Sequence, residues 1–131
     1  MLSNSHFAMA VHLLCALGWN EGQVMGSEDL ARGVGTNPSF LRGLIGDLKE
    51  AGLVETRPGK GGGSMLARPA GSITLFDVYL ATESTPVLKA HDPDDTLPCP
   101  VARNMERLLN HVNERLEETL AAELKRTTIA D

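Results

Sequence analysis

Residues 36–69 read TNPSFLRGLIGDLKEAGLVETRPGKGGGSMLARP, and the order of signals along this stretch decides the fold. Thr36 or Asn37 can cap a helix, and Pro38 suits its first position, where a missing N–H costs nothing. Leu41, Leu44, Ile45 and Leu48 then repeat at i, i+3, i+4 and i+7, an amphipathic stripe, and Gly52 closes the helix. The other face carries Ser39, Arg42, Gly43, Gly46 and Lys49. Two glycines inside a helix cost ~1 kcal/mol each relative to alanine, so this face is expected to admit something that comes very close. "LVETR" and "SMLARP" follow as short strands of a hairpin. The turn between them is long, basic and rich in glycine, with Arg57, Lys60, Gly61 and Gly62. Glycine raises the entropic cost of ordering a turn, so an outside partner is expected to order this one.

Outward from that stretch the chain is mostly helical. Residues 5–17 form a helix with Phe7, Val11, Leu14 and Cys15 on its apolar side. "GSEDLARGVG" forms a second, short helix with Ser27 as its cap, Glu28 and Asp29 in its first turn, and Gly33 and Gly35 at its end. After the hairpin, "ITLFDVYLATE" reads as a helix capped by Thr74, with Asp77 three residues on in a capping box and Leu75, Val78 and Tyr79 facing inward. Residues 84–98, rich in proline and aspartate, form a loop long enough to suspect of a sensing role. From Cys99 and Pro100 to about Thr127, Val101, Met105, Leu108, Val112, Leu116, Leu120 and Leu124 recur at helical steps. A helix of about 25 residues spans about 38 Å, more than so small a body can cover, so a second copy of the chain is its natural cover.

Charge is divided by region. The net charge of −5 argues against a nucleic-acid partner, but residues 36–69 hold five basic and three acidic side chains while residues 82–131 hold six and ten. Apolar residues make up 42% of the chain and aromatics only 4%, so the core is aliphatic. No apolar run approaches the ~20 residues that span a bilayer, and the opening segment carries no lysine or arginine of a signal peptide. The protein is expected in the cytoplasm, with no membrane contact.

Three helices followed by a hairpin is the order of a winged helix-turn-helix, in which the third helix enters the major groove of DNA and the hairpin lies along the backbone beside it. The expected fold class is therefore mainly α with a small β-hairpin: a winged helix-turn-helix plus a long C-terminal dimerisation helix. Residues 1–83 are expected as the DNA-binding domain, 84–98 as the loop, and 99–131 as the dimerisation helix and tail. Arg42 can fork onto guanine, Ser39 can reach a base edge, and Asn37 can bond phosphate. Lys49, late in the helix, either meets phosphate or is merely solvated. Arg57 and Lys60 supply charge to the backbone, where the bare chain at Gly61 and Gly62 comes close. Arg68 follows the second strand and is expected to pair with a nearby carboxylate.

"FLRGLIGDLKEAGLVETRPGKGGGSMLARP", then "ITLFDVYLATE", then "CPVARNMERLL" opening a long helix, resembles the Rrf2 family of bacterial transcriptional regulators over nearly the whole chain. The resemblance implies a dimeric repressor or activator whose C-terminal helix crosses between subunits. Some members hold an iron–sulfur cluster through three cysteines in the loop before that helix. Here the loop offers Cys99, His91 and aspartates but no second thiol, which places the chain with the cluster-free branch and implies no cofactor. Cys99, at a helix start where the dipole favours thiolate, is a candidate redox thiol; Cys15 is a lesser one, expected as a small buried hydrophobe.

The four histidines lack zinc spacing, "GKGGGS" lacks the order of a phosphate-binding P-loop, and no nucleophile–base constellation appears, so an enzyme is not expected. The reading is a homodimeric DNA-binding regulator on a palindromic operator, controlled by thiol oxidation or a small-molecule effector. The alternatives are a winged helix that binds protein, or an iron or metal sensor in the same fold.

Overall fold

A computed structural model describes residues 5–83 and 100–131. Its elements run α1 (Ser5–Trp19), α2 (Ser27–Val34), α3 (Pro38–Glu50), β1 (Val54–Arg57), β2 (Gly63–Leu66), a 3-10 turn (Ala70–Ser72), α4 (Leu75–Thr82) and α5 (Pro100–Leu124). The loop at 84–98 and Cys99 lie outside the described residues.

α3 forms as its residues dictate. The Asn37 side chain accepts the Phe40 N–H at 2.8 Å, Pro38 opens the helix, and Leu41, Leu44, Ile45 and Leu48 are buried. Gly52, at φ 78°, lets the chain reverse so that the Leu53 N–H reaches the Leu48 carbonyl at 3.0 Å. β1 and β2 pair antiparallel from Val54 opposite Leu66 to Arg57 opposite Gly63.

α1 buries Ala10, Leu13, Leu14 and Leu17, while Phe7 and Val11 are half-buried. The expectation that Cys15 is buried is corrected: its side chain is exposed. It follows Leu14 by one residue, a step of about 100° that carries it off the stripe. Ser27 does not cap α2; it is the first helical residue, and Gly26 stands at the cap with no side-chain bond. Met25, just before it, exchanges two backbone hydrogen bonds with Ser64 of β2, at 2.9 and 2.8 Å. That bridge extends the chain entering α2 and supplies the order a side-chain cap would otherwise provide.

α4 carries the expected capping box between Thr74 and Asp77, and buries Val78 and Tyr79, with Leu75 half-buried. Arg68 pairs with Asp77 at 2.7 Å, as expected of a charge outside the hairpin turn. α5 ends at Leu124, short of Thr127. The chain then turns back: the Thr127 carbonyl accepts from Leu75, and the Ile129 N–H donates to Ile73, both at 2.9 Å. Ile129 is buried in the same core as Leu13, Leu44 and Leu48.

The C-terminal residues thus close the helical body. Replacing Ile129 by alanine is expected to lower stability by about 2–5 kcal/mol, read as an earlier urea midpoint at unchanged slope.

Candidate nucleic-acid interface

α2, α3 and the hairpin enclose an open groove of about 990 Å³. Its walls come from the start of α2 (Gly26 to Asp29), the outward face of α3 (Arg42, Gly46, Lys49) with the edge of the buried Ile45, and the hairpin (Thr56 to Arg57 and Gly59 to Ser64). Burial of the leucine stripe forces the α3 residues outward, and the Met25–Ser64 bridge holds the hairpin across from them.

Six of the sequence-predicted residues meet here: Arg42, Lys49, Arg57, Lys60, Gly61 and Gly62. Asn37 and Ser39 do not line the groove; they stand at the entry of α3, with the Asn37 oxygen committed to its cap. Among the described residues Arg42, Arg57 and Lys60 make no ion pair. Lys49 donates to the Thr56 hydroxyl at 3.1 Å. Asp29 pairs with Arg32, which leaves Glu28 as the acid of the groove with no ion pair among the described residues. Glu28 and Thr56 were not legible as site residues, because their approach to α3 depends on contacts distant in sequence.

The hairpin tip makes close contacts of its own. The Gly62 N–H donates to the Gly59 carbonyl at 3.0 Å. A Cβ on Gly62 would lie 2.1 Å from the Arg57 carbonyl oxygen, and one on Gly63 would lie 2.2 Å from that of Met25. Glycine is required at both by the chain's own backbone. At Gly43 and Gly46 the reverse holds: a Cβ would meet nothing within 4 Å. Nothing among the described residues accounts for glycine on that helix face.

Away from the groove, α5 touches the body through its second half. The Tyr79 hydroxyl donates to the Glu117 carboxylate at 3.2 Å, and Lys125 stands 5.0 Å over the Phe76 ring. Burial, then the charge and hydrogen bond of Glu117 and the charge of Glu83, raise the Tyr79 hydroxyl above its usual pKa. Of the apolar stripe, Val101 and Leu108 are exposed and Met105, Val112, Leu116 and Leu120 are half-buried.

The Rrf2 family model, described as "Iron-dependent Transcriptional regulator", matches residues 3–131. The HTH-type transcriptional regulator YwnA of Bacillus subtilis (strain 168) is 31% identical over 128 residues, covering 98% of this chain and 94% of its own. A solved transcriptional regulator from Lactobacillus plantarum superposes with a TM-score of 0.80 at 25% identity, over 96% of this chain and 85% of that one. CymR, the global cysteine regulator of B. subtilis, shares the fold with a TM-score of 0.67 at 21% identity, over 100% and 94%. The fold is thus the winged helix-turn-helix of these regulators, with the hairpin as its wing.

Among the described residues the donor set does not fit the iron of the family description. The chain has two cysteines, Cys15 stands alone on α1, and no three His, Cys, Asp or Glu side chains converge among the described residues. A thiolate-held cluster needs more sulfur than this.

The two classes of glycine separate by experiment. Gly46→Ala is expected to stabilise the protein by about 1 kcal/mol, and Gly62→Ala to destabilise it by about 1–3 kcal/mol, both measured by urea unfolding.

Proposed function

The chain belongs to the Rrf2 family of HTH-type transcriptional regulators, and from that premise we propose that it is a homodimeric, sequence-specific DNA-binding repressor. One observation carries the reading: three cations with no ion pair among the described residues, Arg42, Arg57 and Lys60, line a single groove between the third helix and the wing of a protein whose net charge is −5. Unpaired cations that converge in a chain of the opposite sign suit a ligand that brings its own negative charge.

In this reading α3 enters the major groove, where Arg42 forks onto a guanine and Ser39 reaches a neighbouring base edge. The amide nitrogen of Asn37 bonds phosphate, its oxygen being used in the cap. Arg57 and Lys60 grip the adjoining backbone, the Gly61 N–H faces a phosphate oxygen, and Gly62 holds the turn in shape. Gly43 and Gly46 let the duplex approach the helix without a side chain between. A second copy covers Val101, Met105, Leu108, Val112, Leu116 and Leu120 of α5, and two subunits read a palindromic operator. Residues 1–83 form the reading head and 99–131 the arm that joins two heads.

Control is proposed to act through thiol oxidation at Cys99 or the exposed Cys15, or through a small ligand near residues 84–98, outside the described part. Either shifts the two heads by favouring one arrangement of the dimer. No described helix is long and apolar enough to cross a membrane, which agrees with a place in the cytoplasm.

Binding selection from a random duplex library, followed by anisotropy titrations over a range of salt, tests the proposal. Arg42→Ala is expected to cost about 1–3 kcal/mol on the selected site and to relax preference at one base position. Lys60→Ala is expected to weaken all sequences alike and to lower the salt slope by about 0.9. Absent or salt-insensitive binding would point instead to a protein-binding winged helix. Sedimentation is expected to show a dimer that Leu108→Glu dissociates; a monomeric wild-type chain counts against the arrangement.

A further inference from the structure

Lys49 lines the cationic groove, yet among the described residues its ammonium is the one there that has a partner. It lies in the last turn of α3, and its Nζ donates to the Thr56 hydroxyl of β1 at 3.1 Å. We propose that Lys49 is a positioning residue, a strap that sets the angle between the recognition helix and the wing. This rests on the DNA-binding reading above.

Besides the packing of Val54 and Leu66 on the core, three polar attachments hold the wing among the described residues, and they fall on different parts of it. β2 is bonded to the chain just before α2 by the two-way bridge between Ser64 and Met25. The chain just after β2 is held to α4 by Arg68 and Asp77. β1 receives its one side-chain tether to α3 from Lys49, among the described residues. Thr56 stands opposite Ser64 in the ladder, so strap and bridge grip the same rung from its two sides. The next residue along β1 is Arg57, the first cation of the tip. A rung fixed from both sides aims that tip before any duplex arrives.

The chemistry of the pair agrees. A hydroxyl is a neutral acceptor, so it draws the ammonium toward the wing without cancelling its charge. Lys49 therefore still adds to the positive field while Arg42, Arg57 and Lys60 keep their donors free. A wing held in its bound direction loses less freedom on binding, and the affinity gained is the ordering cost avoided.

Thr56→Val removes the acceptor, keeps the side-chain shape and leaves every charge in place. In the DNA-free protein it is expected to speed amide exchange severalfold across β1, β2 and Gly62. On the operator selected above it is expected to weaken binding roughly threefold to tenfold with an unchanged salt slope. Thr56→Ser, which keeps the hydroxyl, is expected to restore both. Lys49→Met is expected to match Thr56→Val in wing exchange, and the double variant to exchange no faster than either single one. If Thr56→Val leaves exchange and affinity at wild-type values while Lys49→Met lowers the salt slope by about 0.9, Lys49 is a phosphate contact and the proposal fails. A wild-type protein that binds no duplex overturns the DNA-binding reading instead, and the exchange measurements still decide whether the strap exists.

Discussion

Leu41, Leu44, Ile45 and Leu48 drive one face of α3 into the core, and this burial constrains everything outside it. Burying an aliphatic side chain of that size is worth about 1.5–3 kcal/mol, so the four together rival the whole net stability of a small domain, about 5–15 kcal/mol. The helix cannot rotate about its axis without giving that up. Because its period is 3.6 residues, fixing the inner face fixes the outer one, and Arg42, Gly43, Gly46 and Lys49 are presented as a consequence. The cap at Asn37 and the reversal at Gly52 then set where the presented face begins and ends.

The wing obeys a different constraint, close packing of backbone against backbone. Gly63 lets β2 approach Met25 so nearly that no side chain fits between, and the bridge from Met25 to Ser64 follows from that approach. A glycine-rich turn is usually read as flexible because glycine loses the most freedom on ordering. Here two of the glycines are needed for a particular compact shape, and the hydrogen bonds of the turn and of the Met25–Ser64 bridge offset part of the entropy lost. The cations of the tip are carried on that turn.

What was legible in the sequence was what is local. The cap, the proline and the leucine stripe of α3, the capping box of Thr74 and Asp77, and the two strands all lie within short windows and all appear, β2 ending at Leu66 rather than at Pro69. The readings that had to be corrected depended on tertiary contacts. Ser27 has the chemistry of a cap, but the bridge to β2 moves the helix start past it. Cys15 adjoins the apolar stripe, and one residue of helix phase separates buried from exposed. Nothing in "KRTTIAD" announces that Ile129 returns to the core, since that depends on where α5 delivers it. Glu28 and Thr56 enter the groove for the same reason, brought in by elements far away in the chain. Composition was the least informative signal, because a net charge of −5 averages an acidic C-terminal half with a basic reading face.

The attachment of α5 bears on how two such chains would act together. At its far end α5 is tied to α4 by Tyr79 with Glu117 and by Lys125 over Phe76, and the residues after it are bonded to Ile73 and Leu75. Those are the residues that enter α4, and α4 packs in turn against α3. The first half of the helix carries Val101 and Leu108 exposed. Among the described residues α5 is bonded at one end and exposes Val101 and Leu108 at the other, so in the dimer proposed above it would act as a lever that moves α3 from the grip on its first half. Its length of about 38 Å is close to one turn of duplex, about 34–36 Å between half-sites. In the dimer proposed above, a small rotation where two such helices met would become a displacement of several ångströms at the bases. That amplification would let a modest chemical event near the first half of α5 alter the register of two heads on DNA.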